Sequence, residues 1–101
     1  MDTIVCKEQV IKTGDVVYLA YDFRGKTHIG KFTVHTIALD VPRGDGTTWS
    51  NVRFAPVYSW DGTQLEIRDG YRYLDINPET PALERMLRTE EEWLNYIKER
   101  N

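Results

Sequence analysis

The sequence predicts a mainly β chain: a small, strongly curved antiparallel β-barrel closed off by a C-terminal helix. Three observations carry this. Val16 to Tyr21 is a β-branched and aromatic run with no helical period, followed by a glycine turn and a return strand. That return strand, Thr27 to Val41, changes its apolar face partway along, from Phe32 and Val34 to Ile37, Leu39 and Val41. Strand side chains alternate with period two, so the swap requires an extra residue or a bend near His35-Thr36, which is how a sheet is curled. Third, Thr89-Glu90-Glu91-Glu92 has the form of a helix-opening capping box.

The remaining elements follow in chain order. Thr3 to Ile11, with Ile4, Val5, Val10 and Ile11, reads as a first strand. Gly14-Asp15 launches the Val16–Tyr21 strand, and Gly25 supplies the positive φ of a tight reversal within Asp22 to Lys26. Pro42 to Thr48 is a loop by its proline, glycines and aspartate. Asn51 to Tyr58 is a strand that Pro56, lacking an N–H, forces to be an edge or to bulge. Ser59 to Gly62 is a turn. Gln64 to Ile76 is a hairpin about Asp69-Gly70, placing Leu65 opposite Leu74, Glu66 opposite Tyr73 and Arg68 opposite Tyr71. Pro78 and Pro81 limit the following connection to a short helical turn through Ala82 to Leu87. The last helix carries Trp93, Leu94 and Ile97 as its apolar stripe and is expected to cover an open end or edge of the barrel. The expected organisation is one domain, 1–101, with the barrel over 1–76, the proline-containing connection over 77–88 and the helix over 89–101.

The spacing Gly14-Asp15-x-Val17, Gly25-Lys26 and Gly30-Lys31-Phe32-x-Val34, with Ile37 after it, resembles the KOW-type SH3-like small barrels. The resemblance covers about a quarter of the chain and implies a fold, not a binding site. In layout, a short barrel before a Thr-Glu-Glu-Glu helix, the chain also resembles small proteins of bacteriophages and mobile elements.

Composition narrows the function classes. One cysteine, Cys6, rules out an internal disulfide and suits a reducing compartment. Met1 to Val10 has neither a basic n-region nor an apolar run, and no segment approaches a bilayer-spanning length, so a cytoplasmic protein without membrane contact is expected. The formal net charge is −3. It is unevenly spread: residues 1–58 carry seven Lys/Arg against six Asp/Glu, and residues 59–101 six against ten. An acidic second half disfavours a broad nucleic-acid footprint, which needs excess cations to displace phosphate counterions.

No residue set reads as catalytic, and no cofactor or metal is expected. His28 and His35 stand on one strand without the further N or S ligands zinc needs. Cys6 lacks a nucleophile context. Arg43-Gly44-Asp45 spells a cell-adhesion tripeptide, and Gly44 to Trp49 could line a nucleotide pocket; both read more simply as a plain loop. Two binding constellations remain. Phe23, Arg24, Lys26, His28 and Lys31 gather cations beside an aromatic at a hairpin tip, the chemistry by which small barrels hold RNA or single strands. The other is a surplus of aromatic surface among Tyr18, Tyr21, Trp49, Tyr58, Trp60, Tyr71, Tyr73 and Tyr96. Of these, Trp60, Tyr71 and Tyr73 with Glu66 and Arg68 make the expected contact face of a non-enzymatic protein-binding module, for instance a phage-type inhibitor of a host defence enzyme.

Overall fold

The computed structural model describes residues 3–59, 73–79 and 81–100. It is mainly β with a C-terminal helix. The elements are β1 (Thr3–Cys6), β2 (Gln9–Lys12), β3 (Val16–Phe23), β4 (Lys26–Pro42), β5 (Thr48–Tyr58), β6 (Leu74–Ile76), α1 (Ala82–Met86), β7 (Leu87–Arg88) and α2 (Glu90–Arg100). β1 and β2 form a separate two-stranded sheet, and the other strands form a five-stranded sheet in the order β6-β5-β4-β3-β7. Every pairing is antiparallel.

Neither sheet closes on itself among the described residues, so the expected closed barrel is corrected to an open, curved sheet. The physical reason lies at the edges. β6 pairs with β5 over only three residues, and β7 touches β3 at two, Tyr18↔Arg88 and Leu19↔Leu87. Among the described residues these two edge strands form no ladder with each other. The N-terminal segment is also corrected. Lys7 (φ 51°) and Glu8 (φ 63°) both take left-handed backbone, folding Thr3–Lys12 into a hairpin rather than one strand. A two-residue loop with both φ positive matches the right-handed twist of its flanking strands. Ile4, Cys6 and Ile11 turn into the core, whereas the paired Val5 and Val10 face out.

β4 is the longest strand and serves two partners, β3 over its first half and β5 from Lys31 onward. Its register slips between Val34 and Thr36, the place where the apolar pattern changes face. His35 and Thr36 are both exposed there, and Ile37 returns to the core. A second slip between Ala38 and Val41 centres on Asp40 (φ 51°), whose N–H donates to Ser50 Oγ at 2.9 Å. That slip explains why Leu39, expected inside, is 36% exposed. The third irregularity leaves Val57 unpaired between Lys31↔Tyr58 and Phe32↔Pro56, so β5 bulges beside its proline.

The main core joins Val17, Leu19, Phe32, Val34, Ile37, Val52, Phe54 and Ile76 of the sheet with Ile4, Cys6 and Ile11 of the hairpin and Leu83 and Leu87 from the α1–β7 connection. A second cluster contains Trp93 and Tyr96 of α2, packed with Tyr18, Ile29, Tyr58 and Ile97. Tyr18 alternates with Val17 and Leu19 along β3, which is why it reaches the second cluster while they reach the first. α2 therefore lies on the sheet instead of closing a barrel end, and its buried stripe is Trp93-Tyr96-Ile97; Leu94 is 50% exposed. The capping box forms as its sequence dictates: Glu92 N–H donates to Thr89 Oγ1 at 3.2 Å and Thr89 N–H to Glu92 Oε1 at 3.1 Å.

Gly30 is buried where a Cβ would stand 2.8 Å from the Phe32 ring and 2.9 Å from Ser59 Cβ. Gly25, by contrast, has open space and φ 77°. Gly30→Ala therefore overpacks the core and is expected to lower the unfolding free energy by about 1–3 kcal/mol in urea titration. An unchanged midpoint would mean that Phe32 and Ser59 move aside freely.

Candidate functional site

Period-two alternation gives β5 two unlike faces. Ser50, Val52 and Phe54 are buried, whereas Trp49, Asn51 and Arg53 point the other way. Residues directly opposite share a face, so Val41 (with Trp49), Ala38 (with Asn51), Thr36 and Asp75 (with Arg53) stand on that same outer surface. Tyr73, two residues before Asp75, sits beside them and is 38% exposed, as is Trp49.

This outer face is knit together by polar contacts. Arg53 Nε and Nη2 donate to the two carboxylate oxygens of Asp75 at 2.9 and 3.2 Å, and Asn51 Nδ2 donates to Asp75 Oδ1 at 3.0 Å. These bonds hold the Asp75 carboxyl below the usual carboxylate range, and the Arg53 guanidinium is raised by the same partner. The Arg53 guanidinium carbon also lies 5.3 Å from the Tyr73 ring centroid, and the His35 ring approaches that tyrosine at 5.1 Å. His35 Nδ1 is 2.6 Å from Thr36 Oγ1. The bulge at His35-Thr36 thus puts the histidine against Tyr73, while the salt bridge fixes the arginine under the ring. The result is an aromatic–guanidinium platform, and Trp49 lies four residues before Arg53 on the same face of β5.

Of the five expected contact residues, Tyr73 is on this platform; Trp60, Glu66, Arg68 and Tyr71 lie outside the described residues. Arg53, Asp75, Asn51 and His35 were not singled out from sequence as its partners. The signal for Arg53 and Asn51 was the alternation of β5 itself, which places every odd residue from Trp49 to Arg53 opposite the core.

The hairpin-tip constellation separates. Phe23 and Arg24 stay together at the β3–β4 tip, the guanidinium 5.3 Å from the ring centroid, and Lys26 is exposed beside them. His28 is only 4% exposed, and its Nδ1 stands 2.6 Å from Tyr96 Oη of α2. Lys31 is half-buried opposite Tyr18 on β3. The five residues do not share one surface.

The remaining aromatics are mostly absorbed. Tyr18 and Tyr58 pack on Trp93 with ring centroids 6.1 and 5.4 Å away, and Tyr18 Oη donates to Glu90 Oε2 at 3.0 Å. Burial, and then that carboxylate, push the Tyr18 phenol up. Cys6 lies in the main core, its thiol raised by burial. In the Arg43–Thr47 loop the Asp45 carboxylate is turned inward, accepting from Thr47 N–H at 2.9 Å and from its hydroxyl at 2.5 Å. A cleft of about 420 Å³ lies among Tyr21, Asp22, Thr27, Leu74, Arg85 and Arg88. Arg88 is occupied there by the carbonyls of Arg85 and Leu87 at 2.6 and 2.9 Å. Among the described residues no three His, Cys, Asp or Glu side chains converge as metal ligands, and no helix is long and apolar enough to cross a membrane. Comparison with protein-family models, with curated proteins and with solved structures finds no match.

The two faces of β5 make opposite demands. Phe54→Ala, which empties a fully buried position, is expected to cost about 3–5 kcal/mol in urea unfolding. Tyr73→Ala, on the outer face, is expected to leave the midpoint nearly unchanged. Equal losses for both would place Tyr73 in the stabilising core instead of on a free surface.

Proposed function

We propose that the chain is a non-enzymatic protein-binding module whose contact face is the outer surface of β4, β5 and β6, centred on Tyr73, Arg53 and His35 and extending to Trp49. The observation that carries this reading is two large aromatic side chains left exposed on one face, Tyr73 and Trp49, with Tyr73 set against a guanidinium that a two-point salt bridge fixes. Tyr, Trp and Arg are the residue types that concentrate binding energy at protein interfaces, because each covers much area at little entropic cost. A salt bridge made within the module leaves little net charge on the face, which suits a partner of balanced polarity better than a polyanion. A concrete form of the proposal is an inhibitor or modulator of a host enzyme, in keeping with the layout shared with small phage proteins.

The same reading takes the fold as SH3-like. In its support, among the described residues β3, β4, β5 and β6 lie side by side in that order, a short helix and a two-residue strand follow and return to β3, and β4 is long with register slips. A lone cysteine kept as a buried thiol fits a cytoplasmic setting.

Affinity capture from bacterial lysate followed by measurement on the recovered partner tests the face. Tyr73→Ala and Trp49→Ala are each expected to weaken binding about thirtyfold, the loss typical of an interface hot spot. Arg53→Ala should weaken it as well, and Lys26→Ala should not. Recovery of every partner by all three outer-face variants rejects the surface. Binding that instead reports on Lys26 and falls steeply with salt would favour RNA or single-strand recognition at the β3–β4 tip.

A further inference from the structure

α2 docks through an aromatic cluster of its own. Its buried side chains, Trp93 and Tyr96, belong to a cluster separate from the main core. A helix of 11 residues is marginal in water on its own, so its folding and its docking stand or fall together. Within this contact lies one buried polar tie, His28 Nδ1 to Tyr96 Oη at 2.6 Å. The rings of Tyr21 and Phe23 flank the imidazole, with centroids 5.8 and 6.3 Å away. Of the charged groups acting on it, Asp22 and Lys26 come from the β3–β4 hairpin and Arg100 from α2. The Arg100 guanidinium lies 4.4 Å from the Tyr96 ring centroid. Among the described residues, therefore, an imidazolium there meets two cations and one carboxylate, at a position only 4% exposed.

We propose that α2 is an acid-released latch: proton uptake by His28 frees the helix from the β3–β4 hairpin and uncovers Tyr18, Ile29 and Tyr58. In the neutral tautomer that leaves Nδ1 unprotonated, the Tyr96 hydroxyl donates to it. Once Nδ1 carries a proton it becomes a donor, and the Tyr96 hydroxyl must turn its own proton elsewhere in a buried site. Burial first, and then the Arg100 and Lys26 cations, hold the imidazole below its ordinary pKa; a backbone hydrogen bond to Phe23 and the Asp22 carboxylate oppose them in part. The docked state thus binds the proton less readily than the released one. Docking is complete above the free-imidazole pKa of about 6.5 and weakens as pH falls from there toward the depressed docked value. The inference is independent of the outer-face reading, since none of its residues lies on that face.

Hydrogen exchange of the intact chain at pH 7.5 and 5.5, expressed as protection factors, tests it. Protection in α2 is expected to fall by up to about tenfold per pH unit below about 6.5, the limit for one proton, while β3 and β4 keep theirs. His28→Gln should make α2 protection flat over this range, and His35→Gln should behave as wild type. Protection that stays flat in the wild type, or falls equally in His28→Gln, overturns the latch. Glu92 does not imitate it, because its carboxyl is held below the usual range and titrates at lower pH. Should His28→Gln leave α2 undocked at both values, NMR titration of wild-type His28 decides. An imidazole pKa below 6.5, with helix loss tracking the same proton, supports the latch, and a value at or above 6.5 rejects it.

Discussion

The fold depends on one strand being paired on both sides while changing which of its faces is inward. β4 borders β3 along Lys26 to Thr33 and β5 along Lys31 to Pro42, so every other element is placed relative to it. Without the slip between Val34 and Thr36, strict alternation would send Ile37 outward and break the continuity of Val34, Ile37 and Val52 in the core. The extra residue also turns the strand, which wraps the sheet far enough for Leu83, Leu87 and the β1–β2 hairpin to cover its concave side. Curvature and core are therefore one feature.

The bends have polar costs that the chain meets locally. At Asp40 the freed backbone N–H finds Ser50 Oγ, and that hydroxyl in turn donates a hydrogen bond to Glu79 Oε1 at 3.0 Å. The start of β3 is pinned to β4 by Gly14 N–H to Val34 O and Val34 N–H to Asp15 O, both 2.9 Å. Among the described residues no buried side-chain nitrogen or oxygen is left without a partner. Leaving such a group unpaired would cost about 1–3 kcal/mol.

The same geometry divides the protein into parts of unequal firmness and unequal availability. The concave side is filled by aliphatic residues with Cys6, Phe32 and Phe54, whereas α2 rests on a few aromatics, Ile29, Ile97 and a buried imidazole–phenol tie. The outer side of β4–β6 carries side chains engaged with one another, Arg53 with Asp75 and Tyr73, and His35 with Tyr73. Preorganised side chains lose less entropy on meeting a partner, which is why rigid aromatic and arginine groups make effective contact surfaces.

Local chemistry determined much of this protein. The β3–β4 turn at Gly25, the face change near His35-Thr36, the bulge beside Pro56 and the Thr89–Glu92 capping box each depend on residues a few positions apart, and each is present in the fold. Tyr73 was legible as an exposed aromatic because its expected neighbours alternate with charge. Tertiary packing decided the rest. Lys7-Glu8 carries no turn residue, so only burial of Ile4, Cys6 and Ile11 makes its left-handed hairpin worthwhile. Leu94 and Tyr96 compete for the buried side of α2, and the choice falls to Tyr96 because His28, 68 residues earlier in the chain, waits for its hydroxyl. Arg53 meets Asp75 only through the β5–β6 register, a distance of 22 residues that no local pattern spans.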